Sequence, residues 1–322
     1  PLPALTVPGN PAIMGGKGGV AVSSVKTRLI ALAAVVLAVL LALGAALALS
    51  PDFRWQVTRA LGLIPKEEQV PILMYHHLHQ EDEPVANAIN VDQFEEEMAF
   101  LKEEGYTAVS FQELIGYVEE GRPLPRKPVC ITFDDGYLSN YELAYPILQK
   151  YEMKATIFVI GWSVGVTDYY KDTQYPMTPH FNYEQAKEMV DSGLVSIQTH
   201  TYDMHQAEDY ETGDKIRRSA VKLPNETEEE YAAALTEDIL RARSEIEAAT
   251  GQPVNVLSYP VGTWDELSES LLKDLGIQVT LTTRPETATL VYGDPDSLRA
   301  LPRYGVGYET TLEEFAAMVG EK

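Results

Sequence analysis

The chain has 322 residues, of which 45 % are hydrophobic and 23 % are charged, a composition typical of a globular protein rather than a disordered one. Its 48 acidic and 25 basic side chains give a net charge of −23 at pH 7, which argues against nucleic acid and against an anionic membrane surface as partners. The single cysteine, Cys130, excludes an internal disulfide.

The first feature along the chain is an uncharged apolar run at 29–49, LIALAAVVLAVLLALGAALAL. At 1.5 Å per helical residue the run is about 30 Å long, the thickness of a bilayer core. Three basic residues precede it and no acidic residue does, so it predicts a transmembrane helix at 29–50 with a cytoplasmic N-terminus. Secretion after signal cleavage is the alternative, because Ala46-Leu47-Ala48 is similar to a cleavage site.

The remaining segments differ in composition and predict the domain organisation. An exported chain without disulfides fits a bacterial envelope better than a small secreted eukaryotic domain. Met14 is a candidate for the true start. The predicted segments are a disordered cytoplasmic tail at 1–28, the membrane anchor at 29–50, an amphipathic stalk at 51–70 and one large domain at 71–322.

Strand-type and helix-type patterns alternate through this large domain. Such an alternation predicts a parallel sheet with crossover helices, and we expect it to close into a (β/α) barrel with its chemistry at the C-terminal ends of the strands. No GxGxxG or GKS/GKT loop supports a nucleotide-binding version of this architecture. The predicted strands are 71–78, 106–111, 129–133, 154–160, 194–200, 254–260 and 277–283, and the predicted helices are 92–105, 111–121, 141–151, 182–193, 228–250, 265–275 and 310–319.

Polar side chains that can bind a metal follow two of these strands. Asp134 and Asp135 follow strand 129–133, while His200 ends a later strand and His205 lies five residues beyond it. On an α-helix this spacing would point the two histidines apart, so a shared ion requires a non-helical turn. Two histidines and one aspartate are the ligand set of a catalytic zinc-type site, which Co²⁺, Ni²⁺, Mn²⁺ or Fe²⁺ also fits. One aspartate would bind the metal, and the other would accept a proton from metal-bound water.

Two motifs carry a resemblance to a known family. TFDDG at 132–136 and HTYDMH at 200–205 resemble the polysaccharide deacetylases with a NodB homology domain, carbohydrate esterase family four. The resemblance spans about 70–310, and LMYHHL at 73–78 is closest to the branch of the poly-N-acetylglucosamine deacetylases. It implies a deformed (β/α) barrel of the NodB type.

The resemblance also implies a role for individual residues. Asp134 is similar to the catalytic base of the family, and Asp135, His200 and His205 are similar to its metal ligands. YPVG at 259–262 resembles the segment whose backbone N–H, here that of Val261, helps to hold the oxyanion.

Further assignments concern the predicted substrate contacts and the positions where the chain departs from the family pattern. The segment 259–262 and the aromatic after it predict substrate contacts from Tyr259, Pro260 and Trp264. Ser258 stands where the family has an arginine, and Arg303 is the candidate to replace that arginine beside Asp134. The late histidine that serves as general acid is absent, so His76 is the candidate acid, as in the similar branch.

The predicted function is metal-dependent removal of N-acetyl groups from an extracytoplasmic glycan of the N-acetylglucosamine type, either peptidoglycan or poly-N-acetylglucosamine. Metal-bound water would be the nucleophile and Zn²⁺ the default metal. The alternatives are an O-deacetylase acting on a xylan-like polysaccharide and a non-catalytic glycan-binding pseudoenzyme. The expected partners are the glycan and the cytoplasmic membrane, and no protein partner is predicted.

Overall fold

The computed structural model describes residues 61–320, with gaps at 82–84, 86 and 214, and short helical stretches before residue 61. The chain divides into two compact units, Pro1–Leu61 and Gly62–Lys322. Within the described part of the chain, no helix is both long enough and apolar enough to cross a bilayer. The tail at 1–28 lies almost wholly outside the described residues, as do parts of the predicted anchor at 29–50 and the first part of the predicted stalk, apart from residue 57, up to residue 60.

The second unit alternates strands and helices, as predicted. Its strands are β1 (Glu67–Val70), β2 (Ile72–Tyr75), β3 (His77–His79), β4 (Ala88–Asn90), β5 (Thr107–Ala108), β6 (Pro128–Phe133), β7 (Ala155–Val159), β8 (Val195–Thr199), β9 (Val256–Ser258), β10 (Val279–Leu281), β11 (Ala288–Val291) and β12 (Tyr304–Gly305). Its helices are α1 (Val91–Glu103), α2 (Phe111–Glu120), α3 (Tyr145–Tyr151), α4 (Tyr183–Asp191), α5 (Glu228–Thr250), α6 (Glu266–Asp274) and α7 (Leu312–Val319).

The main sheet is parallel throughout, with the order β10-β9-β8-β7-β6-β2-β12 and with β5 added beside β6. Its two edges are joined by one short segment, because Leu301 bridges to Leu281 while Tyr304 pairs with Leu73. The predicted parallel α/β architecture is therefore confirmed, as a half-barrel whose edges meet through 301–305.

Burial explains why these strands form. All six residues of β6 are buried, as expected for a central parallel strand covered on both faces. The long helix α5 buries one stripe at three- and four-residue spacing against the sheet and its neighbours. Local capping boxes begin five of the helices, with Ser110, Asn182, Thr227, Asp265 and Thr311 as the N-cap residues.

The predicted stalk at 51–70 extends too far along the chain. Its last four residues form β1, which pairs antiparallel with β11, and Val70 is fully buried. The compact unit begins at Gly62, so the predicted domain boundary at residue 71 is too late. The partner strand is more than 200 residues away in sequence, and no local pattern announces such a pairing.

The predicted strand at 71–78 is also interrupted. It divides into β2 and β3 at His76, which lies between them outside either strand. The break places His76 at the C-terminal end of β2, on the edge of the sheet where the other polar groups lie.

Candidate active site

The C-terminal ends of β2, β6, β8 and β9 gather the polar residues that the motifs predict. These strands are close neighbours in a parallel sheet, so the groups that follow them meet at one edge. Asp134 and Asp135 follow β6, and His200 follows β8.

Asp134 is held by Arg303. The guanidinium binds the carboxylate through two parallel contacts, Nη1 to Oδ1 at 2.8 Å and Nη2 to Oδ2 at 2.7 Å. The Ser258 hydroxyl accepts from Arg303 Nη2 at 2.8 Å and donates to Asp134 Oδ2 at 3.1 Å. Arg303 and Ser258 therefore both contact the carboxylate of Asp134. This is the contact that Arg303 needs in order to replace the missing arginine of the family.

The Arg303 side chain is fully buried, and every part of its guanidinium has a partner. Its Nε donates to the carbonyl of Thr282 at 2.9 Å, and Nη1 also reaches Thr132 Oγ1 at 3.2 Å. Burial alone would raise the pKa of Asp134, but the Arg303 charge and nearby histidines hold this pKa far below its ordinary value. Asp134 is therefore ionised at neutral pH.

Asp135 faces a different set of groups. Its Oδ1 lies 3.6 Å from His200 Nε2 and 3.7 Å from His205 Nε2. One ligand atom from each of these three residues lies within 4.8 Å of the other two. Asp135 Oδ1 is buried and has no hydrogen-bond partner among the described residues, which leaves its charge to be balanced by a cation.

The Nε2 atoms of the two histidines face Asp135 and are the atoms that could bind a metal ion. His200 Nδ1 donates to the carbonyl of Ser258 at 2.7 Å, which leaves the Nε2 lone pair directed at Asp135. Burial, followed by the neighbouring His200, lowers the pKa of His205 to about 4, so its imidazole is neutral near pH 7. The donor set of one carboxylate and two imidazoles fits a divalent transition metal.

The backbone explains why adjacent aspartates face different partners. Asp135 and Gly136 both have left-handed φ angles, 72° and 84°, so the chain turns sharply after Asp134. A Cβ on Gly136 would lie 2.9 Å from Val159 Cγ1, which leaves no room for a larger residue in this turn. The turn directs Asp134 towards Arg303 and Asp135 towards the two histidines.

His76 lies close enough to both aspartates for its charge to lower the pKa of each. Its carbonyl accepts from Asn140 Nδ2 at 2.7 Å, and its side chain lines a hollow of about 280 Å³ beside β12. This position suits a group that exchanges a proton with substrate, and the acid role stays a prediction.

The segment 259–262, predicted to help hold the oxyanion, contains a tight 3₁₀ turn at Pro260–Gly262 after β9. Val261 has a left-handed φ of 52°, unusual for a β-branched residue, and its side chain is half-exposed. A Cβ on Gly262 would lie 2.2 Å from Thr283 Oγ1, so only glycine fits there. The turn brings Val261 to the rim of a hollow that His205 also lines.

The three predicted substrate contacts differ in exposure. Tyr259 is fully buried and its hydroxyl donates to Glu269 at 2.9 Å, so its ring supports the turn from below and does not reach a substrate. Pro260 is buried as well, whereas Trp264 is 41 % exposed. Of the three side chains, that of Trp264 is accessible to a substrate.

Sequence reasoning missed two residues beside the candidate metal ligands. Tyr137 directly follows the TFDDG motif, and burial together with the charge of Asp135 raises its pKa well above the ordinary value. His180 is buried at 3 % exposure, with its ring 4.9 Å from that of Tyr137. The position of Tyr137 next to the motif was a usable signal, but only the folded chain brings His180 to it.

A hollow of about 370 Å³ adjoins the metal-ligand cluster. His205 and Val261 line its inner side, and Tyr210 and Arg218 line the side formed by the loop after the HTYDMH motif. The Tyr210 ring stacks on Tyr175 with 4.4 Å between centroids, and both side chains are partly exposed. The cluster is therefore open to solvent beside an aromatic wall.

Comparison with known proteins assigns this arrangement to a family. The sequence profile of the polysaccharide deacetylase family matches residues 121–280. The Bacillus subtilis protein YxkH, named provisionally as a polysaccharide deacetylase, is 32 % identical over 226 residues, covering 70 % of this chain and 68 % of its own. The chain belongs to the polysaccharide deacetylase family, so the resemblance carried by the motifs is confirmed, as is the prediction of an enzyme family.

Two further relatives connect this family membership to particular proteins. The poly-β-1,6-N-acetyl-D-glucosamine N-deacetylase of Escherichia coli K12 is 26 % identical over 253 residues, covering 72 % of this chain but 35 % of that enzyme. The chain thus spans about a third of that relative. The structure of IcaB from Ammonifex degensii is 26 % identical with a TM-score of 0.62, covering 78 % of this chain and 96 % of that one, in accord with the NodB-type fold.

Proposed function

We propose that the protein is a metal-dependent deacetylase that removes N-acetyl groups from a glycan of the N-acetylglucosamine type. The single observation that supports this most strongly is the division of labour between the two aspartates. Asp134 is fixed by Arg303, while Asp135 faces His200 and His205 with one oxygen unpaired. One turn of chain thus carries both a candidate base and the carboxylate of a candidate metal-ligand set.

Asp135, His200 and His205 would hold the metal ion. When bound, a divalent cation supplies Lewis-acid polarisation of the acetyl carbonyl and lowers the pKa of a water molecule. The lowered pKa values of the Asp135 carboxyl and the His205 imidazole keep both groups in the deprotonated state that binding requires.

Asp134 would accept a proton from the attacking water. Arg303 keeps its carboxylate ionised, and Arg303 and Ser258 fix its orientation. Oδ2 accepts from both of these residues, whereas Oδ1 accepts from Arg303 and retains a lone pair for that proton. The backbone N–H of Val261 would donate to the developing oxyanion. His76 would then protonate the departing amine, so that the C–N bond breaks to leave a free amino sugar and acetate.

The surroundings of the cluster support a polymeric sugar as substrate. The hollow beside His205 and Val261 has room for an adjoining sugar ring, and the partly exposed Tyr210 could stack on its apolar face. The enzyme of Escherichia coli that the chain resembles is named for poly-β-1,6-N-acetyl-D-glucosamine, which supports the same class.

We also propose that the domain lies outside the cytoplasmic membrane, anchored by a helix at 29–50. The uncharged run and the three basic residues that precede it support this placement. Retention of the full chain in carbonate-washed membranes is expected, and its release into the wash would contradict the anchor.

Acetate release from N-acetylglucosamine oligomers tests the activity. The purified full chain is compared with Asp134→Asn, and the metal content of both is measured. We expect acetate from the wild type, and at least a 100-fold lower rate from a variant that still binds its metal, the scale on which acid–base groups contribute.

Other outcomes identify the alternatives. Release of acetate from acetylated xylan but not from the oligomers would indicate an O-deacetylase. Binding of the oligomers without acetate release by a metal-loaded wild type would indicate a pseudoenzyme, and the proposed function would be wrong.

A further inference from the structure

The turn between the two ligand histidines is held by a side chain that no motif marks. Asp238 lies on α5, and its two carboxylate oxygens accept from consecutive backbone N–H groups, Oδ1 from Tyr202 at 2.7 Å and Oδ2 from Asp203 at 2.7 Å. These two residues are in the centre of the HTYDMH motif. We propose that Asp238 is a positioning residue that sets the relative placement of His200 and His205 for metal binding.

The conformation of the turn makes such a carboxylate necessary. Thr201 has a left-handed φ of 74°, so the chain reverses directly after His200 and two adjacent N–H groups face α5. In this half-buried position both donors need an acceptor, and an ionised carboxylate forms stronger hydrogen bonds than a neutral group. One carboxylate satisfies both donors and pulls them towards one point.

The acceptors of the same turn are held from the opposite side. The Gly161 N–H donates to the carbonyl of Thr201 at 3.0 Å, and the Trp162 N–H donates to that of Tyr202 at 3.1 Å. A Cβ on Gly161 would lie 2.5 Å from Tyr202 Cδ2, so the two segments are as close as the backbone allows. The turn is therefore fixed between α5 and the segment after β7.

A second charged contact fixes the side chain of Asp203. Lys171 Nζ lies 2.8 Å from Asp203 Oδ1, and the same ammonium group lies over the rings of Trp162 and Tyr170, 5.2 and 5.4 Å from their centroids. This contact orients the side chain, whereas Asp238 binds the backbone. Only the backbone contacts act directly on the path that connects the two histidines.

The consequence concerns metal affinity. Asp238 contacts neither histidine, yet four residues separate them and two of these four are bound by it. Loss of the clamp would let His205 move relative to His200, and partners that orient metal ligands typically contribute about 10- to 100-fold in affinity. This inference rests on the metal site of the proposed function but not on the reaction performed there.

Asp238→Asn is the sharpest substitution. The shape is kept, but the amide NH₂ has no lone pair for the second N–H and would place a donor against a donor. Glu237→Gln is the matched control, because it removes the same charge from the adjacent, exposed position of the same helix. Asp238→Glu keeps both acceptor oxygens and tests for rescue.

The measurement is Zn²⁺ affinity of the metal-stripped full chain by competition with a chromophoric chelator. The visible absorption of the Co²⁺ form reports the coordination geometry in parallel. We expect Asp238→Asn to bind Zn²⁺ about 10- to 100-fold more weakly with an altered Co²⁺ spectrum, and Glu237→Gln to stay within about twofold of the wild type. Asp238→Glu should bind more tightly than Asp238→Asn.

The melting temperature of the metal-free proteins distinguishes a role of Asp238 in placing the histidines from a general role in the stability of the fold. A metal-free Asp238→Asn within about 4 °C of the wild type is expected. Unchanged Zn²⁺ affinity would overturn the proposal, and so would failure of the variant to fold without metal, or an Asp238→Glu protein no better than Asp238→Asn. A wild type that binds Zn²⁺ with this dependence on Asp238 but releases no acetate would contradict the proposed function and leave this inference standing.

Discussion

Asp134 and Asp135 are neighbours in sequence with opposite surroundings. Asp134 shares two hydrogen bonds with a buried guanidinium, while Asp135 has a buried oxygen without a hydrogen-bond partner among the described residues, facing two imidazoles. The difference arises from one left-handed residue, because the φ of 72° at Asp135 sends the chain around a corner. The two adjacent aspartates of the TFDDG motif therefore lie in two separate environments, which one turn of the chain connects.

Arg303 is the residue on which the environment of Asp134 depends. Arg303→Lys keeps the charge but cannot reproduce the fork that binds both carboxylate oxygens, Ser258 and Thr132 together. We expect acetate release to fall by about 100-fold or more while the bound metal is unchanged, because Asp135 does not contact this group.

The measurement is kcat for acetate release together with metal content. Arg284→Lys is the matched control, because that side chain is exposed and pairs with Glu286 instead. An Arg303→Lys protein with the kcat of the wild type would show that Arg303 has no role in positioning Asp134.

At the scale of secondary-structure elements, the sequence predicted the helices well, because helix formation depends on residues that are close together in the chain. Apart from α3, the helices lie within two residues of their predicted ends, because apolar spacing and N-cap residues act over three or four residues. Helix α3 begins at Tyr145, four residues after its predicted start, because a π-helical turn at Asn140–Ala144 precedes it. The short strands β1, β4, β11 and β12 were not predicted. Each has two to four residues, and their pairing partners lie elsewhere in the chain, so their own residues carry little information.

A buried contact between α1 and β2 leads to a prediction of pH dependence. Glu97 accepts from the Tyr75 hydroxyl at 2.7 Å, and burial raises the pKa of Glu97 to about 8 from an ordinary value of 4.5. The folded protein therefore keeps this proton between pH 4.5 and 8, whereas the unfolded chain loses it. Stability present below pH 4.5 is lost as the pH rises towards 8.

Glu97→Gln removes this titration and keeps the shape of the protonated side chain. We expect the variant to unfold at nearly the same denaturant concentration as the wild type at pH 5, and to be more stable by about 1 kcal/mol or more at pH 8. Glu103→Gln, at an exposed position of the same helix, should show no such divergence. Parallel pH profiles for Glu97→Gln and the wild type would contradict the assignment.

At the scale of the molecule, the metal-ligand cluster connects segments that are distant in sequence. Asp135 follows β6, and the two histidines follow β8, which is separated from β6 by one strand of the sheet. A bound ion would join these segments in the folded state and not in the unfolded one. Metal binding should therefore be linked to global stability.

Removal of the metal is expected to destabilise the full chain. At a free metal concentration 100 times its Kd the linkage amounts to about 2.7 kcal/mol, so chelation should lower Tm by about 5–10 °C. Calorimetry before and after treatment with a chelator measures this difference. Asp135→Ala should melt at one temperature in both conditions, and a chelator effect that persists in it would place the metal elsewhere.

The sequence by itself determined the class of fold, the family and the identity of the motif residues. Strand and helix periodicity, capping residues and the TFDDG and HTYDMH motifs are local patterns, and each was readable without coordinates. The sequence could propose Arg303 as a partner for Asp134, but no spacing rule relates two residues 169 positions apart.

Tertiary structure alone decided which side chains meet. The two sheet edges join through 301–305, and this closure delivers Arg303 to the end of β6. In the same way, packing between distant elements buries Tyr259, places His180 beside Tyr137 and brings Asp238 to the turn between the two histidines. Contacts of this kind depend on how the half-barrel closes, and a linear pattern does not contain that geometry.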